Sequence, residues 1–224
     1  MTAGELPAVP RLVQSTEWAS WSVEVWEGSA ASLHAADLLG AASVRRRVVV
    51  QLVDRPAWVL GSAQRPEVLM ASARRRTDSV EGADVVVRRS GGGIVALAPD
   101  AQVWVDVVIP ADDELWADDV DTAALWLGHS WADALAEFVD GDLIVHHGGV
   151  TDRRLGRLVC FAALGPGEVA SGGRKLVGIS QRRTRRGARF QCVVPLRWSP
   201  SELLRVLDPD VVGAQVMGDL AEAL

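Results

Sequence analysis

Three adjacent glycines, Gly91-Gly92-Gly93, stand between DVVVRR (84–89) and IVALA (94–98), two valine-rich runs that read as strands. Residues without a Cβ accept positive φ and let backbone amides come close to a ligand or to another part of the chain. Arg88 and Arg89, just before them, suit a carboxylate or a phosphate. The run is not a P-loop, because no Gly-Lys-Ser/Thr follows, and it does not open a helix as a dinucleotide-binding G-x-G-x-x-G does. A plain hairpin turn is the competing reading, and the triplet alone does not decide between them.

The rest of the chain is read around this loop. WSVEVW (21–26), RVVVQLV (47–53), AWVLG (57–61) and QVWVDVVIP (102–110) read as strands, and several more short strands fall within 143–197. Helices are expected at 29–42, opened by a Ser cap, at 66–76, at 113–139 with acidic first turns suited to the helix dipole, and at 199–224. Helices do not alternate regularly with strands, so the fold class is α+β with a mixed, mostly antiparallel sheet flanked by helices. At 224 residues the expectation is a single domain over 1–224, with 199–224 as a helical tail.

The net charge of −6 argues against a nucleic-acid partner. No apolar run approaches the roughly 20 residues of a membrane span, and 1–10 lack the basic-then-apolar pattern of a signal peptide. Cys160 and Cys192 form no framework, so the expectation is a cytoplasmic protein with reduced thiols. The nine tryptophans read mainly as core and groove fillers. Of the 23 basic residues Lys175 is the sole lysine. An ammonium is a compact point charge and a guanidinium a wide planar fork. A lone lysine between Gly173 and Gly178 therefore suggests a small cation placed beside a reacting atom.

RRSGGGIV (88–95) and GRKLVGISQRR (173–183), together with the weaker LGSAQRP (60–66), resemble the lipoate–protein ligase and octanoyltransferase family over roughly residues 20–197. The resemblance implies the biotin/lipoate ligase type of catalytic domain, akin to class II aminoacyl-tRNA and biotin synthetases. It implies that Lys175 is catalytic and that Arg88, Arg89, Ser90, Gly91, Gly92, Gly93, Val95, Gly178, Ser180 and Gln181 bind substrate. Cys160-Phe161, with Glu168 before the lysine segment, is similar to the cysteine-dependent octanoyltransferase branch, which implies that Cys160 is a nucleophile and that no cofactor is needed. The ligase branch implies ATP with Mg, and Cys160 is then a buried structural thiol. Either branch implies attachment of a lipoyl or octanoyl group to a lysine of a lipoyl domain, whether of a 2-oxoacid dehydrogenase or of the glycine cleavage H protein. The transferase branch adds an acyl-carrier protein as donor.

The sequence departs from the family where a His-Asp pair and then Gly-Asn are usual. It has Ala96-Leu97 and Asp100-Ala101 there and Cys192-Val193 in place of a downstream His-Gly, and the expectation is a short member without the C-terminal accessory domain. These losses keep open a non-catalytic module that holds an acyl group, nucleotide or carrier. His146-His147 reads as an exposed turn, and no metal site is expected. Arg182, Arg183, Arg185, Arg186 and Arg189 read equally as a patch for an acidic carrier and as a solvated edge strand. Arg45–Arg47 and Arg74–Arg76 read as surface.

Overall fold

The computed structural model describes residues 9–40, 44–65 and 83–224. The helix expected at 66–76, with Arg74–Arg76, lies outside them. In chain order the strands are β1 (Arg11–Trp18), β2 (Trp21–Gly28), β3 (Arg47–Val53), β4 (Ala57–Leu60), β5 (Asp84–Val87), β6 (Val95–Leu97), β7 (Gln102–Pro110), β8 (Leu143–Val145), β9 (Val169–Ser171), β10 (Arg174–Thr184) and β11 (Gly187–Pro195). The helices are α1 (Ala30–Ala35), α2 (Leu125–Leu135), α3 (Arg153–Leu158), α4 (Pro200–Val206), α5 (Pro209–Val212) and α6 (Ala214–Ala223). A 3₁₀ turn spans Cys160–Ala162.

A large sheet runs β1-β2-β3-β7-β11-β10-β9-β8, and a small one runs β5-β4-β6. Pairing is antiparallel except between β2 and β3 and between β4 and β5. The fold is therefore the expected α+β arrangement.

β7 explains why QVWVDVVIP alternates only in part. Val105, Val107 and Ile109 pack into one core with Phe190 and Cys192 under α2, and Trp104 faces the opposite core with Leu60, Ile94 and Leu203. A central strand covered on both faces has little use for polar positions. Its one charge, Asp106, is buried and committed. It accepts from Arg189 Nε at 2.9 Å, from Gln51 Nε2 at 2.8 Å and from Trp104 Nε1 at 3.0 Å.

Two sequence expectations are corrected, and one strand was not anticipated. The first helix starts at the expected Ser29 cap, whose hydroxyl accepts from Ser32 N, but it stops at Ala35. The Arg189 guanidinium takes the carbonyls of Leu33 and Ala36 and so closes the helix end. The acidic stretch at 113–124 is a series of turns and not the start of a helix. Asp113 binds Arg46 and the amide of Leu115, and Asp119 binds the amide of Asp121. Short acidic side chains bonded to nearby amides compete with helix formation in this way. Finally, RLVQSTEW forms an exposed edge strand, β1, and its Trp18 is 72% exposed, unlike a core filler.

Candidate active site

The glycine loop is not a hairpin turn. β5 and β6 flank β4 on opposite sides, so 88–94 must cross over the end of β4. That crossing is tight. A Cβ on Gly61, just past β4, would stand 1.8 Å from the Gly92 carbonyl oxygen, and one on Gly93 would stand 2.5 Å from the Val159 amide nitrogen. Side chains at these positions would push the layers apart. Arg88 is buried beneath the loop, and its guanidinium donates to the carbonyls of Gly91 at 2.7 Å, Gly93 at 2.9 Å and Val59 at 3.3 Å. Burial pulls its pKa below the usual arginine value, although Cys160 and Glu168 oppose the shift. Arg88 shapes the loop, whereas Arg89 points to solvent.

The loop is stitched to the segment that carries Cys160. Ile94 N donates to Leu158 O at 2.9 Å, and Cys160 N donates to Ile94 O at 3.1 Å. Gln64, from the LGSAQRP segment, locks the same corner. It accepts from Gly61 N and donates to the carbonyls of Arg157 and Leu158. Three segments far apart in sequence thus meet along the backbone that leads into Cys160.

Lys175 arrives from the other side. Gly172 and Gly173, both at positive φ, make the two-residue turn between β9 and β10. A Cβ on either meets nothing within 4 Å, so these glycines serve the turn and do not clear space for a substrate. The register then slips between Lys175 and Val177. Such a bulge re-aims a side chain. A Cβ on Gly178 would meet Lys175 Cε at 3.2 Å, which places the two side-chain positions on one face. In a regular strand an offset of three residues puts them on opposite faces.

The Lys175 ammonium donates to Glu168 Oε1 at 2.6 Å, Cys160 O at 2.9 Å and Ala163 O at 3.2 Å, and lies 3.6 Å from Cys160 Sγ. Lys175 and Glu168 side chains are 3% and 6% exposed. Burial disfavours the ammonium, but the charges of Cys160 and Glu168 and hydrogen bonds to both outweigh it, so its pKa lies above the usual lysine value. Glu168 also accepts from Ile179 N at 3.0 Å and from Gly165 N at 2.6 Å. It stands just before β9, and its carboxylate replaces a ladder partner for β10 where β9 has ended.

A cleft of about 460 Å³ opens at that sheet edge, lined by Gly91, Gly92, Cys160, Lys175, Ser180 and Gln181 among others. Behind it lies an apolar recess of about 40 Å³ walled by Val95, Leu97, Trp104, Phe161 and Val193. Cys160 and Ser180 line both. Ser90 is buried beside them, and its hydroxyl donates to Ser180 Oγ at 3.0 Å and lies 3.4 Å from Gln191 Oε1. Gln191 Nε2 lies 3.2 Å from His34 Nδ1. Burial, then the charges of Arg189 and Arg88, hold His34 well below the usual imidazole range, so it is neutral at pH 7. Gln181 donates to Val120 O at 2.7 Å, while its Oε1 is buried without a described partner. Cys160 is thus half-buried at a cavity wall. Cys192 is the inert thiol, fully buried and pushed up to about 12 by that burial.

The sequence profile of the lipoyl protein ligase A/B catalytic domain matches residues 35–219. The chain belongs to this family. No curated protein matches the sequence. Among solved structures, the bi-partite lipoate protein ligase of Thermoplasma acidophilum, reported with its E2 lipoyl domain, superposes with a TM-score of 0.55 at 13% identity. That match covers 80% of this chain and 60% of the archaeal one, so this chain spans under two thirds of its length. A lipoate-protein ligase A bound with ATP gives a TM-score of 0.52 at 14% identity over 83% of this chain and 71% of that one. The likeness is one of fold.

Within the family frame, Ala96 and Leu97 replace the usual His-Asp pair. They lie in β6 against Trp58 and Ala57, with Leu97 in the core. The arginine patch disperses: Arg189 is buried on Asp106, and Arg183 stacks on Trp116 at 4.0 Å and donates to Ala117 O. Arg46 is likewise not free surface, since it pairs with Asp113 and Glu114 over Trp21. His146 closes its own turn through Gly149 O. The sequence reading missed His34, Gln191 and the corner role of Gln64. Of these only Gln64 lay inside a quoted motif.

Proposed function

We propose that this chain is a cysteine-dependent acyltransferase that carries a lipoyl or octanoyl group through Cys160 to a lysine of a lipoyl domain. The contact of Lys175 Nζ with Cys160 Sγ at 3.6 Å, inside the cleft, carries this reading. An ammonium beside a thiol stabilises the attacking thiolate, and it can then shift from a carbonyl to the oxyanion of each tetrahedral intermediate. The thiolate attacks the donor thioester carbonyl, an S–C bond forms, and the donor sulfur leaves with the thiol proton. The acceptor lysine, as its neutral amine, then attacks the Cys160 thioester: the amide C–N bond forms, the S–C bond breaks, and the amine proton goes to the Cys160 sulfur. The apolar recess seats part of the acyl chain, while Ser90, Gly91, Gly92, Gly93 and Val95 shape the groove and Gly178, Ser180 and Gln181 border it.

The ATP-dependent ligase is the second reading, and the ATP-bound structural neighbour favours it. The donor set in the cleft does not. Glu168 is committed to Lys175 and two amides, which leaves Asp121 as the one uncommitted carboxylate among the described lining residues. Magnesium on a nucleotide takes its protein ligands from carboxylate oxygens. A lipoyl-domain partner fits the archaeal neighbour, reported with such a domain.

The test is intact mass spectrometry of a lipoyl-domain acceptor after incubation with octanoyl-carrier protein, or with ATP and lipoate. Acyl transfer without ATP, a thioester adduct on the enzyme and loss of both in Cys160→Ser are expected. Transfer that needs ATP and survives Cys160→Ser rules out the transferase. An acceptor unmodified in both arms leaves the non-catalytic binding module.

A further inference from the structure

Most of the described arginines are tied to a partner, but two in the cleft are not. Arg153 and Arg157 lie one turn apart on α3 and both line the cleft, with Gly156 between them on the same face. Among the described residues neither has an ion-pair partner, whereas their neighbour Arg154 is held by Asp219. Across the cleft the amides of Gly91 and Gly92 donate to no described group. Asp121 is the only other charged group in the lining besides the Lys175–Glu168 pair. The surface is concave and its excess charge is positive, so it suits a small anion better than a protein face.

We propose that Arg153 and Arg157 form a phosphate site for an acyl donor whose phosphate is set back from its acyl carbonyl, as in a phosphopantetheine thioester. This rests on the transferase reading and names its donor chemistry. α3 leads into Cys160 through the extended Val159, so Arg153 and Arg157 precede the thiol by seven and three residues. In a phosphopantetheine thioester a long arm separates the phosphate from the sulfur. In an acyl adenylate the phosphate is bonded to the acyl carbon itself, so it would sit at Lys175 and leave the arginines empty. The phosphate at α3 and the carbonyl at Cys160 are therefore two ends of one ligand.

The experiment compares octanoyl-4′-phosphopantetheine with octanoyl-pantetheine as donors, reading acylation of the enzyme by intact mass. The proteins are wild type and Arg153→Gln/Arg157→Gln. In wild type the phosphorylated donor has the lower KM. In the double variant its KM rises about 10- to 100-fold, the loss expected for charge-assisted hydrogen bonds, with kcat kept and the unphosphorylated donor unaffected. Equal KM values in wild type, or equal losses for both donors, overturn the proposal. Calorimetric titration with free 4′-phosphopantetheine, pantetheine and ATP reads the site independently of chemistry. If no donor acylates Cys160, the transferase reading fails, and phosphopantetheine binding lost in the double variant still supports the site. Loss of ATP binding alone reassigns the arginines to a nucleotide and overturns it.

Discussion

Two buried ion pairs flank the sheet, and they differ in what surrounds them. Arg189 and Asp106 sit between β11 and β7, where every neighbour is protein. The guanidinium closes α1, and the carboxylate also binds Gln51 and Trp104. Lys175 and Glu168 sit at the edge where β9 stops, and the ammonium contacts a thiol at the wall of a cleft. Arginine suits the first place because its fork spans several fixed acceptors. Lysine suits the second because a point charge can change partners without changing shape. The first pair is scaffold, and the second is scaffold on one side only.

The largest expected difference is in stability. Asp106→Asn leaves a buried guanidinium without its counter-ion and is expected to cost about 3–5 kcal/mol. Replacing both partners, as Arg189→Met/Asp106→Leu, is expected to recover much of it, and chemical denaturation measures both. A double variant as unstable as the single one would show that Arg189 matters through α1 and not through its charge partner.

Next comes the chemical difference. Lys175→Arg keeps a positive charge yet is expected to lower acyl transfer about 10²- to 10³-fold, the effect of removing one oxyanion donor. The control Arg189→Lys is expected to leave transfer near wild type while lowering the melting temperature. Equal transfer in Lys175→Arg and wild type would end the distinction between the two pairs. A smaller effect, about tenfold, is expected for Gly178→Ala, whose methyl would press on Lys175 Cε. Its melting temperature separates displacement of the lysine from unfolding.

The smallest effect is in pH dependence. The folded pKa of Lys175 lies above the ordinary value, so its contribution to stability is full below the unfolded-state pKa. That contribution is lost only as pH rises through the folded value. The melting-temperature gap between wild type and Lys175→Met is expected to stay constant from neutral pH and to narrow above about pH 10.4. Narrowing on acidification instead would show that Glu168 governs the pair.

The lone lysine and the glycine loop were legible as candidates because each is a local pattern of residue types, visible without knowing which distant residues it meets. β10 and β11 were legible only as short strands, and the bulge that turns Lys175 toward Gly178 was not, because register is set by pairing with β9. The acidic stretch at 113–124 misled for a related reason. Its carboxylates suit a helix N-terminus by type, and Arg46, 67 residues away in sequence, takes one of them. The basic run at 182–189 misled because strand alternation sends Arg189 into the core, which composition does not record.

The sequence by itself determined the fold class and the family frame and singled out Lys175 and Cys160 as candidates, because residue types and their order along the chain carry that information. Tertiary structure alone decided that ammonium and thiol stand 3.6 Å apart, that Arg88 lies buried beneath the loop and holds its carbonyls, and that Arg153 and Arg157 are the arginines without a described ion-pair partner in the cleft. The reason is that a charge acts through its distance to partners, and those partners lie on segments that only folding brings together.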